Sequence, residues 1–163
     1  MRVLVSDTSV LIDLERARLL EEMFRLPFQF AVPDLLYQRE LTGPLGDRLV
    51  ALGLRVEALT STELGRATVL YRQNTRLSAP DTFAFALAEA RRWTLLTGDG
   101  TLRDLAVAEQ LDMHGVLWVF DQLADGSHVA LAQLHVALMT LFANPRCRLP
   151  VDEVNLRLAR FLA

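Results

Sequence analysis

The sequence predicts an α/β protein of three layers, with a central parallel sheet of about five strands between two layers of helices. Short apolar runs typical of strands alternate with longer stretches at helical spacing over most of the chain. Strands separated by helices pair in parallel through right-handed crossovers, which place helices on both faces of the sheet. A length of 163 residues, 52% of them hydrophobic, is enough for one domain with a substantial core.

The expected strands are short apolar runs, each ended by a turn or by the start of a helix. They cover residues 2–6, 28–32, 54–58, 93–97 and 115–119. Helices are expected after each strand, and residues 60–63 have the arrangement of a capping box. The segment 42–46, Thr-Gly-Pro-Leu-Gly, is predicted to be a loop.

We divide the chain into a domain over residues 1–125, which contains the sheet, and a helical C-terminal extension over residues 126–163 packed on the same domain. Breaks between its helices are expected at Gly126 and around Asn144 and Pro145. The last helix has an apolar stripe of Val151, Val154, Leu158, Phe161 and Leu162.

The charge pattern excludes several classes of protein. The net charge of -3 argues against a protein that coats nucleic acid without specificity. All 17 basic residues are arginine, which excludes enzymes that need a lysine, such as P-loop and Schiff-base enzymes. The single cysteine, Cys147, excludes an internal disulfide and a cysteine-based zinc site. Without a long apolar span or a signal-peptide pattern, we expect a cytoplasmic protein.

Acidic residues follow the predicted strands. Asp7 comes directly after the first strand and Asp99 directly after the fourth, while Asp81 starts the helix that leads into the fourth. Glu40 lies about two helical turns beyond the second strand, and Asp104 lies in the helix after Asp99. Because ligands of an open α/β sheet bind outside the carboxyl ends of its strands, we expect several of these acids to converge there.

Carboxylates gathered at one edge repel one another, so a hard divalent cation is the natural compensation. Oxygen ligands alone favour Mg²⁺ or Mn²⁺. Such ions activate water for attack on a phosphodiester, so no nucleophilic side chain is needed. Thr8, Ser9 and Thr97 are placed to hydrogen-bond the carboxylates from outside.

A structural alternative applies to each acid. Asp7, Asp34, Asp81 and Asp99 all stand just before predicted helices, where aspartate is a preferred N-cap. Asp34 is interpreted only as a cap, because its spacing from Glu40 places the two on different helix faces. Ser9 and Thr97 also suit turns and caps.

Four segments together resemble the PIN-domain family. Residues 3–12 (VLVSDTSVLI) resemble the opening strand with its first acid, and residues 37–41 (YQREL) are similar to the helix bearing the second. Residues 80–86 (PDTFAFA) resemble the segment with the third acid, and residues 95–99 (LLTGD) resemble the Thr-x-Asp turn with the fourth. The resemblance implies a three-layer α/β/α fold and Mg²⁺- or Mn²⁺-dependent cleavage of RNA. Many bacterial members are VapC-type toxins that a small antitoxin neutralises.

The resulting hypothesis is a ribonuclease in which the metal is held by Asp7, Asp81 and Asp99. Glu40 and Asp104 are predicted as further ligands or as the group that orients the water. The expected products carry 5′-phosphate and 3′-hydroxyl ends. The alternatives are a PIN-like module that binds RNA or protein without catalysis, and a metal-dependent phosphatase.

The resemblance also implies partners. They are an RNA substrate, a small antitoxin protein and a second copy of the chain. Candidate residues for RNA specificity are Arg39, Arg72, Arg76 and Arg103. Candidate residues for an apolar antitoxin groove are Leu14, Leu19, Leu20, Met23 and Phe24, for which packing in the core is the alternative.

Overall fold

The centre of the protein is a five-stranded parallel sheet in the order β3-β2-β1-β4-β5, in a computed structural model that describes residues 1–162. The strands are β1 (Arg2–Ser6), β2 (Phe28–Pro33), β3 (Arg55–Glu57), β4 (Thr94–Leu96) and β5 (Met113–His114). Helices flank the sheet, which confirms the predicted three-layer α/β/α fold. The chain adds β2 and β3 on one side of β1 and then β4 and β5 on the other, so the order reverses between β1 and β4.

Ten helices lie in the described part of the chain. They are α1 (Thr8–Arg16), α2 (Leu20–Phe24), α3 (Asp34–Leu36), α4 (Pro44–Leu52), α5 (Ser61–Gln73), α6 (Ala79–Arg91), α7 (Gly100–Ala108), α8 (Val116–Asp125), α9 (Leu131–Ala143) and α10 (Val151–Leu162). α3 continues as a π-helical turn over Tyr37–Leu41. Within residues 1–162, no helix combines the length and apolar character that crossing a membrane requires.

The two faces of the sheet are covered by different helices. α6 packs against β1, β2 and β4, and α5 packs on α6. α2 packs against β2 and contacts α8, while α1 contacts α8 and α9. Val3, Leu4 and Val5 of β1 are all buried, as expected for a central strand with helices on both sides.

The fifth strand differs from the sequence prediction. Residues 115–119 were expected to be extended, but β5 covers only Met113–His114, and Gly115 is the N-cap of α8. The prediction was wrong because a short apolar run fits a buried helix as well as a buried strand. The buried residues of α8 follow helical spacing, and they are Val116, Leu117, Val119, Phe120 and Leu123.

The loop predicted at residues 42–46 is shorter than expected. Pro44 already occupies the first turn of α4, where its missing amide hydrogen costs little. Gly43 precedes it with a φ of 111°, a conformation that favours glycine. The turn between the π-helical segment and α4 is therefore confined to Thr42 and Gly43.

The C-terminal helices pack on the layer that contains α1 and α8. Val154 and Phe161 of α10 are buried, and the Phe161 ring stacks on Phe120 with centroids 6.4 Å apart. Arg157 donates to both oxygens of Asp121, at 3.0 and 2.8 Å, which joins α10 to α8. The predicted apolar stripe is only partly buried, because its two outer members, Val151 and Leu162, are exposed.

The predicted antitoxin groove is wrong. Leu14, Leu19, Leu20 and Met23 are each no more than 1% exposed and belong to the central core. Phe24 is partly buried against the same core, with its ring edge on Phe30. The four buried side chains hold α1 and α2 to the sheet and offer no surface to a partner, so packing in the core, the alternative, is the correct interpretation for them.

Candidate functional site

Asp7 is the innermost acid of the site. It follows β1 directly, is only 4% exposed, and is the N-cap of α1. Its Oδ1 accepts hydrogen bonds from the Ser9 hydroxyl at 2.9 Å and from the Val10 amide at 3.0 Å. Its Oδ2 accepts a hydrogen bond from the Thr97 hydroxyl at 2.5 Å. Both carboxylate oxygens are therefore held in a fixed orientation.

Thr97 connects Asp7 to Asp99. While its hydroxyl donates to Asp7, the same oxygen accepts from the Asp99 amide at 3.0 Å. Asp99 is the N-cap of α7, and its Oδ1 accepts from the Leu102 amide at 2.9 Å. The chain Asp7–Thr97–Asp99 thus joins the carboxyl ends of β1 and β4, at the point where the strand order reverses and where ligands of such sheets bind.

The electrostatic surroundings of Asp7 disfavour its charge. Burial raises the pKa of Asp7, and the hydrogen bonds from Thr97, Val10 and Ser9 lower it only in part. The negative charge of Asp81 raises the pKa of Asp7 further. No salt bridge to Asp7 is found within residues 1–162, so its charge has no basic side chain as partner. A cation at this position would relieve the repulsion.

Asp81 lies in the first turn of α6. Its Oδ2 accepts from the Ser78 amide at 3.0 Å, and its own amide donates to the Ser78 hydroxyl at 3.2 Å, which together form a capping box. α6 packs against β1, which brings Asp81 close enough to affect the charge of Asp7. Asp81 is half-buried and so remains accessible to a ligand.

Glu40 is exposed, and its Oε1 accepts from the Thr8 hydroxyl at 3.0 Å, beside Asp7. The π-helical turn that carries it packs closely on α4. A Cβ on Gly46 would lie 2.0 Å from the Leu41 carbonyl oxygen, so only glycine permits this approach. Thr8 was predicted to hydrogen-bond one of the carboxylates, and it does so with Glu40.

Asp104 lies on the exposed surface of α7. Among residues 1–162, its side chain makes no hydrogen bond or ion pair. The structure therefore gives Asp104 no bonded partner that would fix its carboxylate toward the site.

The donor set suits a hard divalent ion, since the ligands offered by Asp7, Asp81 and Asp99 are all carboxylate oxygens. Within residues 1–162, no three His, Cys, Asp or Glu side chains converge closely enough to hold a metal ion. Asp7 and Asp99 are N-caps, as the capping interpretation of the sequence predicted. Asp81 was also predicted to be an N-cap, but Ser78 holds that position in α6 and Asp81 supports the helix start from its third residue. Asp34 differs, since the N-cap of α3 is Pro33.

Comparison with known families decides the relationship. A family model described as a PIN domain matches residues 3–161. The chain belongs to the PIN-domain family. PIN domains are generally nucleases and typically use divalent metal ions, so the carboxyl edge of the sheet lies in a nuclease-type fold. No curated protein matches the sequence.

This PIN domain has one acid near the site that sequence reasoning missed. Asp13 lies on α1 and lines a cavity that extends from Thr97 and Asp99. Burial raises the pKa of Asp13 to about 6, with Arg16 lowering it and Asp7 raising it. The available signal was an acidic residue between Ile12 and Leu14, within an otherwise apolar stretch of helix.

Proposed function

We propose that this PIN domain is a metal-dependent ribonuclease that hydrolyses RNA phosphodiester bonds. The observation that carries the proposal is the buried charge of Asp7, which is held by hydroxyl and amide donors, repelled by Asp81, and joined through Thr97 to Asp99. Ionising a buried carboxylate that has no basic partner costs free energy. At the carboxyl ends of the strands in a family of nucleases, the expected function of such a carboxylate is to bind a cation.

Asp7, Asp81 and Asp99 would hold Mg²⁺ or Mn²⁺, with the Asp81 and Asp99 side chains turning toward the ion from their capping positions. The ion, when bound, supplies positive charge that stabilises the developing negative charge on the phosphate and makes water a better nucleophile. Ser9 and Thr97 keep the Asp7 carboxylate oriented through their hydroxyl hydrogen bonds.

Glu40 is the group that receives the proton from the attacking water in this proposal, and Thr8 keeps its carboxylate beside Asp7. Asp104 stays as a further ligand in the proposal. As water adds to phosphorus, the bond to the 3′ oxygen breaks, which leaves a 5′-phosphate and a 3′-hydroxyl end.

The test is cleavage of a mixed pool of single-stranded and structured RNA with Mg²⁺ or Mn²⁺. We expect the native chain to cleave, and Asp7→Asn and Asp99→Asn to lose at least about a hundredfold in rate, since changes just outside metal ligands already cost about 10- to 100-fold. The matched control is Asp47→Asn, an exposed aspartate on α4 that should keep full activity. Circular dichroism confirms that each variant is folded. Cleavage that survives in both site variants, or in the presence of chelator, overturns the proposal.

A second candidate is a PIN-like module that binds RNA or protein without catalysis. It is favoured by the capping role of Asp7, Asp81 and Asp99, which explains these acids without a metal. Calorimetric titration with Mn²⁺ separates the two candidates. The nuclease binds the ion with a stoichiometry that Asp7→Asn removes, whereas the non-catalytic module gives no binding heat and no cleavage.

The proposal extends to a toxin-type nuclease in the cytoplasm, with a small antitoxin protein and a second copy of the chain as partners. It is supported by the resemblance of the sequence to VapC-type toxins. Light scattering tests the homodimer directly, and the mass of one chain, 18.3 kDa, would contradict it. Toxin activity is tested by expressing the native chain and Asp7→Asn in bacterial cells. The native chain should arrest growth and the variant should not.

A further inference from the structure

A cavity of about 520 Å³ adjoins the acidic site on the side of β4. Asp99 and Thr97 stand at one end of it, and α1 and the start of α8 form its walls. The segment that joins α9 to α10 supplies another wall. The volume lies within the range of about 300–1,000 Å³ that is typical of small-molecule sites.

The charged residues of the cavity are mainly arginines. Arg103 comes from α7, and Arg146 and Arg148 come from the segment between α9 and α10. None of these three forms a salt bridge within residues 1–162. Of the acidic groups, Glu153 is paired with Arg157 at 2.9 Å and Asp13 lies 3.8 Å from Arg16, while Asp99 belongs to the acidic site. Three unpaired guanidinium groups therefore surround a cavity in a protein whose net charge is -3.

The remaining lining is apolar. Ile12 of α1, Val116 and Leu117 of α8, and Leu149 of the joining segment contribute to it. Apolar walls combined with arginines suit a nucleotide, because an unstacked base packs on apolar or guanidinium surfaces while arginine binds phosphate through paired hydrogen bonds. Inorganic phosphate would gain nothing from contact with the apolar walls.

We infer that this cavity receives one unpaired nucleotide of an RNA strand next to the bond to be cleaved, with its phosphate on Arg146, Arg148 and Arg103. The inference rests on the proposed function and adds the place where the RNA strand is held beside the acidic site. It also gives the C-terminal segment a binding role, because two of the three arginines belong to it.

The inference is tested by binding without cleavage, in chelator. A fluorescein-labelled single-stranded oligoribonucleotide is titrated with the native chain and with the double variant Arg146→Gln/Arg148→Gln. We expect the variant to bind about tenfold more weakly, and the slope of log Kd against log salt to fall by about 0.7 for each phosphate that the variant no longer neutralises. A duplex of the same sequence should bind more weakly than the single strand, since its bases are stacked.

The matched control is Arg25→Gln/Arg92→Gln. It removes the same charge from exposed arginines that precede β2 and β4, at the opposite edge of the sheet. Competition with adenosine or cytidine 5′-monophosphate and with inorganic phosphate tests the apolar walls. A nucleotide should displace the labelled strand at lower concentration than phosphate does.

Equal losses in the two double variants, or equal competition by phosphate and nucleotides, would overturn the inference. These outcomes differ from failure of the proposed function. A chain that binds RNA through Arg146 and Arg148 but cleaves nothing keeps the nucleotide site and refutes the nuclease. A chain that cleaves RNA with no dependence on these arginines keeps the nuclease and refutes the nucleotide site.

Discussion

Asp7 and Glu63 are both carboxylates that are only 4% exposed, but the protein treats their charges in opposite ways. Glu63 faces Arg91, whose Nε lies 3.1 Å from Glu63 Oε2 and whose Nη1 binds Glu57 at 2.9 Å. Burial works to raise the pKa of Glu63, but hydrogen bonds from Arg91 and from the Thr60 amide hold it below its usual value. Asp7 has only neutral donors and a neighbouring carboxylate, and its pKa is raised.

This difference distinguishes Glu63, an acid that stabilises the fold, from Asp7, an acid of the candidate site. Both carboxylates accept enough hydrogen bonds to be buried, so hydrogen bonding does not distinguish them. The distinguishing quantity is net charge. Around Glu63 it is compensated within the chain, whereas around Asp7 it is left for a cation from outside.

The largest expected change in stability follows from removing Arg91, the cation that compensates Glu63. Arg91→Gln leaves Glu63 without its cation and should lower the free energy of unfolding by about 3 kcal/mol, the lower end of the cost of breaking a buried ion pair, because the Arg91 side chain is 25% exposed. Urea denaturation measures it. Arg92→Gln changes the exposed neighbour and should stay within about 0.5 kcal/mol. Similar losses in both variants would mean that Arg91 and Glu63 do not form a stabilising pair.

At Asp7, divalent ions should supply the positive charge that the chain itself does not provide. At a hundred times its Kd, an ion bound only by the folded chain stabilises it by about 2.7 kcal/mol. We therefore expect Mg²⁺ or Mn²⁺ to raise the Tm of the native chain and to leave Asp7→Asn unchanged. A similar rise in Asp7→Asn would show that the ions bind elsewhere and that Asp7 is not a ligand.

Without metal, Asp7→Asn should be more stable than the native chain at neutral pH. The pKa of Asp7 is raised in the folded state, so ionisation costs stability as pH rises above the ordinary aspartate value. The amide removes that cost and keeps an oxygen for the Val10 amide. Thermal unfolding in chelator measures the change, with Asp47→Asn as control. A destabilised Asp7→Asn would contradict the uncompensated charge.

Asp13→Asn should give the smallest effect, about 1 kcal/mol at pH 7, reduced because water still reaches this carboxyl. Its folded pKa of about 6 lies above the ordinary 3.8, so the native chain loses stability as pH rises between these values. The stability difference between variant and native chain should be near zero below about pH 4 and grow until about pH 7. The lowered pKa of His114 acts in the opposite sense but equally in both chains, so it cancels. A difference that does not change with pH would refute the shift.

The sequence predicted much of the sheet because β1, β2 and β4 are apolar runs with distinct ends. It missed the fifth strand, since the run at 115–119 is apolar on every side and local pattern does not separate strand from buried helix. It also placed Asp7 and Asp99 at strand ends and Ser9 and Thr97 beside them. Asp13 and the two arginines of the C-terminal segment were missed as site residues, because nothing local distinguishes them from ordinary helix and loop residues.

By itself the sequence determined the order of the elements, the helix starts at Asp7 and Asp99, and the acid at the end of β1, because capping and strand ends depend on neighbouring residues. Only the tertiary structure decided that β4 pairs with β1, which brings Thr97 to Asp7 across 90 positions of chain. Only it decided that Arg91 compensates Glu63 and that no arginine reaches Asp7. Charge compensation depends on distance in space, and that distance is set by packing.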